Sequence, residues 1–168
     1  MRRSLILALL TLALLPGTSG IASASVAHGN HATYTWVVGA TTPSDTAIAP
    51  DGSTITMTGS GALTAGPGNT ASGGGSYTLS SGGSGTWSVT GVQGFVSYGE
   101  AIPQGLPGLF GGQAKLNITL SNGASGVLTI ICLLGSPPAG KAEGITVILG
   151  PDGQFTKQDG GNTVFILS

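Results

Sequence analysis

The stretch Ala114-Lys115-Leu116-Asn117-Ile118-Thr119-Leu120, followed by Asn122-Gly123 and then Val127-Leu128-Thr129-Ile130-Ile131-Cys132-Leu133-Leu134, sets the fold class. In its first part apolar side chains fall on every second residue, the period of a strand with one packed face and one wet face. Its second part is apolar at all but Thr129, as expected of a central strand covered on both sides. Gly123 supplies a positive φ between the two, so the spacing predicts a tight hairpin joining residues 116–120 to residues 127–134.

The two-residue period recurs in Thr54-Ile55-Thr56-Met57-Thr58 and Thr86-Trp87-Ser88-Val89-Thr90. Pro50-Asp51-Gly52 and Pro151-Asp152-Gly153 read as matching turns, with Pro presetting φ and Asp bonding forward to the backbone. Residues 66–75 read as a flexible, exposed glycine-rich loop. Beyond the first residues no window carries a helical apolar face free of Gly, Pro or β-branched interruption. About ten short strands predict an all-β, single-domain antiparallel β-sandwich over residues 32–168, with a closed β-barrel as the alternative.

Ahead of that domain, Arg2 and Arg3 precede an apolar run over residues 5–15, Pro16-Gly17 breaks it, and Ala22-Ser23-Ala24 has the small-x-small form that signal peptidase accepts. Spanning a bilayer takes about 20 apolar residues, so this run is too short for an anchor. The expectation is a signal peptide over residues 1–24, a flexible tail over 25–31, and a secreted, extracellular protein without a membrane anchor.

Charge is scarce. The whole chain carries a formal net charge of −1, and without Arg2 and Arg3 it keeps Lys115, Lys141 and Lys157 against Asp45, Asp51, Glu100, Glu143, Asp152 and Asp159. That balance cannot neutralise a row of phosphates, which excludes nucleic acid as a partner and leaves an extracellular protein or glycan. Cys132 is the only cysteine, so no intramolecular disulfide can form. Its apolar neighbours predict a small buried hydrophobe and not a reactive thiol.

The chemistry-bearing residues are few. His28 and His31, the only histidines, lie close to the expected new N-terminus, where no pocket holds an imidazole for a nucleophilic relay. They are the only metal candidates: cleavage after Ser25 would expose Val26-Ala27-His28, four nitrogens suited to Cu(II), whereas cleavage after Ala24 puts His28 one position too far. No cofactor is expected. Glycoside hydrolysis needs two acids in one cleft. With Asp51 and Asp152 in turns and Asp159 in a glycine-rich bend, Glu100 and Glu143 are the catalytic candidates, each bordering a loop.

The segment from Glu100 to Gly112 reads as an irregular loop unusually rich in apolar side chains, Ile102, Leu106, Leu109 and Phe110, and so as a binding loop or, preferentially, a lid over an open end of the core. Asn117-Ile118-Thr119 matches a glycosylation sequon but falls inside a predicted strand. Thr54, Thr56 and Thr58 form a hydroxyl row, without the regular repeat in sequence that a flat ice-binding ladder requires.

The run Cys132-x-Leu134-Gly135-x-Pro137-Pro138-x-Gly140-x-x-Glu143-Gly144-Ile145, with Gly85-Thr86-Trp87 and Thr163-Val164-Phe165-Ile166, is similar to small secreted β-proteins of soil bacteria and archaea that have no assigned activity. The resemblance covers residues 52–168. It implies a defined place for Glu143, whose carboxylate would accept backbone N–H bonds and pin the loop that Pro137-Pro138 stiffens. The expected function is a binding or structural role outside the cytoplasm. The rivals are a carboxylate-dependent glycoside hydrolase and a carrier of small apolar ligands with Trp87 and Phe95 beside its cavity.

Overall fold

The computed structural model describes residues 31–39 and 44–168. The expected signal peptide over residues 1–24 and the expected tail residues 25–30, His28 among them, lie outside the described residues; His31 is exposed and directly precedes the first strand. The strands are β1 (Ala32–Val38), β2 (Asp45–Ile48), β3 (Thr54–Ala65), β4 (Thr70–Leu79), β5 (Ser84–Ala101), β6 (Leu106–Leu120), β7 (Ser125–Cys132), β8 (Gly144–Ile148), β9 (Gln154–Phe155), β10 (Lys157–Gln158) and β11 (Val164–Leu167). Among the described residues helix is limited to single 3-10 turns at Ile102–Gln104 and Gly150–Asp152.

Every pairing is antiparallel. The hydrogen-bonded neighbours run β3-β4-β5-β6-β11-β1 and return to β3. Strands β2 and β10 extend this ring from β3, and β7, β8 and β9 extend it from β6. Two halves thus face each other across one apolar core, a sandwich-like all-β fold. β3, β5 and β6, of 12, 18 and 15 residues, are far longer than the short strands expected. Register breaks at Val89/Gly91, Val92/Gly94 and Ser97/Gly99 let β5 bend along β6, since each extra residue raises the local twist.

The hairpin expected at Asn122-Gly123 forms. Thr119 pairs with Ser125, Gly123 takes φ 92°, and Asn122 Oδ1 accepts the Ala124 N–H at 3.1 Å. The first Pro-Asp-Gly turn closes in the same way, with Asp51 Oδ1 accepting the Ser53 N–H at 2.9 Å. The second forms the 3-10 turn ahead of β9. Burial follows the alternation: Ile55 and Met57 on β3, and Ala114, Leu116, Ile118 and Leu120 on β6, are buried.

Two sequence expectations are corrected. Residues 66–75 are not a loop, because the chain turns over residues 66–69 and then runs as β4, paired with β3 from Thr70 to Leu79. Absence of side chains is what makes this strand possible. The glycines of β3 and β4 lie under the stacked indoles of Trp36 and Trp87, whose centroids are 5.6 Å apart. A Cβ at Gly61 or Gly73 would press on Trp36, and one at Gly59 on Trp87.

Residues 100–112 are likewise a hairpin and not a lid. β5 and β6 stay paired up to Ala101 and Leu106, joined by the 3-10 turn and Gly105 at φ 74°. Continued strand pairing satisfies the backbone of this segment, so it projects instead of folding over the core. Ile102 at its tip is 65 % exposed.

Trp87 and Phe95 are packing residues. The Trp87 Nε1–H lies within hydrogen-bond distance of the carbonyls of Thr58 and Ser76, and Phe95 packs on Tyr34 and Phe165. The hydroxyl row of β3 continues sideways: Thr56 bonds Thr46 of β2 at 3.0 Å, and Thr58 bonds Ser76 of β4 at 2.9 Å.

Candidate carboxylate knot and apolar cleft

β7 ends at Cys132, and the chain makes an excursion past Pro137-Pro138 before re-entering the sheet at β8. Glu143 stands at that re-entry. Its Oε2 accepts the Leu133 N–H at 2.6 Å, and its Oε1 accepts the Thr163 N–H at 3.2 Å. The buried Thr163 hydroxyl lies between two acceptors, Glu143 Oε1 at 2.5 Å and the Ile131 carbonyl at 2.7 Å. One carboxylate therefore fastens the start of the excursion, its end, and the segment entering β11. Charge-assisted bonds of this type are about twice as strong as neutral ones.

Asp45, the first residue of β2, is the second member of this cluster and is wholly buried. Its Oδ2 accepts the Gly39 N–H at 2.5 Å. Its Oδ1 is buried without a hydrogen-bond partner, and the backbone amide of Asn162 also acts on the carboxyl. Burial pushes the carboxyl up to about 6; the Glu143 charge adds to this, while the Gly39 and Asn162 amides pull it back. Gly161 packs so closely that a Cβ there would overlap the carboxylate.

The sequence reading gave Asp45 no role, because a lone Asp opening a short strand resembles any surface carboxylate. Thr163 stands out in the sequence only within the run Thr163-Val164-Phe165-Ile166. Their grouping depends on residues 39, 143 and 161–163, which are remote in sequence.

Glu100 does not join Glu143. It stays on the β5–β6 hairpin, where its Oε1 accepts the Gly108 N–H at 2.7 Å. The acid on which the Glu143 charge acts is Asp45. Asn117, of the sequon, lies in β6 with its side-chain oxygen bonded to Gln93 at 2.9 Å. Among the described residues no group of three or more His, Cys, Asp or Glu is placed to hold a metal ion.

Beside the knot lies a cleft of about 440 Å³. Leu106 and Leu109 of β6, Leu133 and Leu134 after β7, and Val164 of β11 give it apolar walls; Cys132, Glu143, Asn162 and Thr163 line the rest. The four apolar residues expected to act together are divided. Leu106 and Leu109 line the cleft, Phe110 packs edge-on against Tyr34 at 5.5 Å, and Ile102 points to solvent. Cys132 is free and buried, and burial together with the Glu143 charge pushes its thiol up to about 11.

A second cavity of about 450 Å³ lies where the two Pro-Asp-Gly turns meet. There Asp51 is committed to Ser53, whose hydroxyl and N–H hold its carboxyl below the usual range. Neither cavity is lined by Trp87 or Phe95. No helix among the described residues is long and apolar enough to cross a membrane. The chain matches no protein-family model, no curated protein and no solved structure.

Proposed function

We propose that this is an exported, non-catalytic binding module that takes up the apolar group of a small ligand in the cleft between the β5–β6 hairpin, the start of the 133–143 excursion and β11. The observation carrying this reading is the cleft itself: about 440 Å³ with leucine and valine walls, and Leu106 at its rim 42 % exposed. Small-molecule sites are concave and mostly apolar, of about 300–1,000 Å³, with a few polar groups that fix orientation. Glu143 and Asn162 supply such groups.

Catalysis is less well supported. A general acid must reach the reacting atom, whereas Glu100 and Glu143 are bonded to backbone amides and Asp45 is fully buried. Export rests on the leader over residues 1–24. Mass spectrometry of protein recovered outside the cells is expected to show a chain beginning at Ser25, and recovery of the intact leader on cytosolic protein would contradict export.

The binding test is a titration with N-phenyl-1-naphthylamine, an uncharged probe whose emission rises in apolar surroundings. Saturable enhancement with one site is expected, and Leu106→Glu, a rim substitution, is expected to weaken it about tenfold, the equivalent of losing part of one leucine contact. Absence of saturable binding, or equal affinity in the variant, would reject the cleft as the site.

A further inference from the structure

We infer that the Asp45–Glu143 pair is a proton-operated latch on the cleft wall, which holds the wall shut when Asp45 is neutral and lets it open when Asp45 is ionised. The inference builds on the binding reading only in assigning a purpose to the wall, because the latch can be observed with the cleft empty.

Its basis is connectivity. Five of the residues that line the cleft, Leu133, Glu143, Gly161, Asn162 and Thr163, are also residues of the knot or directly bonded to it. Glu143 fastens residues 133 and 163, and Asp45 lies behind residues 161 and 162 with Gly161 in close contact. Outward movement of the wall therefore breaks the Glu143 bonds to residues 133 or 163 and uncovers the Asp45 carboxyl behind residues 161 and 162. The segment that would move begins at Gly160 and Gly161, with φ of 78° and 149°.

The direction of the switch follows from the surroundings of Asp45. Lys157 lies on the neighbouring β10, Lys141 and Glu143 precede β8, and Asp159 follows β10, its N–H bonded to the Thr46 carbonyl. Of these groups Glu143 is the one whose charge acts on Asp45, after burial and the Gly39 amide, and it is of like charge. Glu143 likewise opposes ionisation of Cys132, inside the cleft. Among the described residues no cation compensates. An ionised Asp45 thus favours local openings that admit water to it, while a neutral one favours the closed wall.

Cys132 reports the opening, since at 1 % exposure it reacts only when the wall moves. The experiment measures the rate of Cys132 modification by 5,5′-dithiobis(2-nitrobenzoic acid) between pH 5 and pH 8, with no ligand present. The native chain is compared with Asp45→Asn at each pH, so that ionisation of the thiol itself divides out. The rate ratio of native to variant, already above 1 at pH 5, is expected to rise about tenfold between pH 5 and pH 7 and to level off above that, within the ceiling of about 100-fold set by a shift of about two pH units. Glu143→Gln, which removes the like charge but keeps a carbonyl acceptor, is expected to lower the native pH dependence as well.

A ratio that stays flat across the range for a folded Asp45→Asn chain overturns the latch. If that chain does not fold, a pH dependence in Glu143→Gln equal to the native one overturns it instead. Probe binding at pH 5 separates the two readings: saturable binding with a flat ratio removes the latch alone, and a rising ratio without saturable binding removes the ligand assignment alone.

Discussion

Replacing Gly61 by alanine is expected to destabilise the protein by about 3 kcal/mol or more, at the upper end of what an added methyl does in a packed core. Gly61 lies on the inward face of β3, paired with Gly73 of β4. A Cβ there would collide with the Ser72 carbonyl oxygen of the paired strand and with Cζ2 of Trp36. Neither neighbour yields easily. The carbonyl belongs to a backbone held by ten consecutive pairings between β3 and β4, and the Trp36 indole is completely buried against Trp87. Relief requires the two strands to part or the indole pair to shift, and each movement sacrifices other core contacts.

Urea unfolding followed by tryptophan fluorescence measures this directly, and the midpoint of thermal unfolding should fall by about 10 °C in a chain of this size. Gly94→Ala is the matched control. It also lies in a strand, but nothing stands within 4 Å of its Cβ position and its φ is not positive. Its stability is expected to stay within about 1 kcal/mol of the native chain. Equal stability of Gly61→Ala and Gly94→Ala would show that the indole stack does not depend on a bare glycine surface.

The same glycines explain which parts of the fold could be read in advance. Residues 114–120 and 125–132 announce themselves because most inward positions, among them Leu116, Ile118, Leu120, Leu128 and Ile130, carry a large apolar group that must leave water. β4 is silent by that measure: between Thr70 and Leu79 its inward positions are Ala71, Gly73, Gly75 and Tyr77, and the bulk that fills the core is supplied from β1 and β5 by Trp36 and Trp87. A strand whose contribution is to be thin looks like a loop until its partners are known. The Glu100–Gly112 segment misleads for a related reason. Its Gly and Pro residues, read as breaks in regular structure, instead accommodate a register shift and the turn of a hairpin that keeps its pairing.

Polar groups at the site were legible only where a local motif constrained them. Asp51 could be placed in its turn because its partner, Ser53, is two residues away. Glu143 had a stiff proline-containing excursion on one side and glycine on the other, which pointed to a fastening role. Asp45 had no local cue, since apart from the Gly39 amide its neighbours include Glu143 and Asn162, 98 and 117 residues further along the chain.

Global stability is expected to increase as the pH is lowered from 7.5 towards 4, the reverse of ordinary acid destabilisation. In the folded chain Asp45 has its carboxyl raised from 3.8 to about 6, chiefly by burial. Between those two values the folded state binds more protons than the unfolded one, so stability falls with rising pH across that window and levels off above it. Two pH units correspond to about 3 kcal/mol, and relaxation around the ionised group will reduce the amount observed. Asp51 acts in the opposite sense. Its carboxyl is held below 3.8 by Ser53, so its contribution is present above that value and is lost only as the pH falls further. A window kept above about pH 4 therefore isolates Asp45. Asp45→Asn removes the titration while leaving an oxygen to accept the Gly39 N–H. Urea midpoints measured at half-unit intervals should slope downward with pH in the native chain and run nearly level in the variant, with the variant the more stable of the two at pH 7.5. Parallel curves for the two chains would mean that Asp45 ionises in the folded protein at no net disadvantage, because water or a rearranged backbone reaches it where the packing around Gly161 leaves no room.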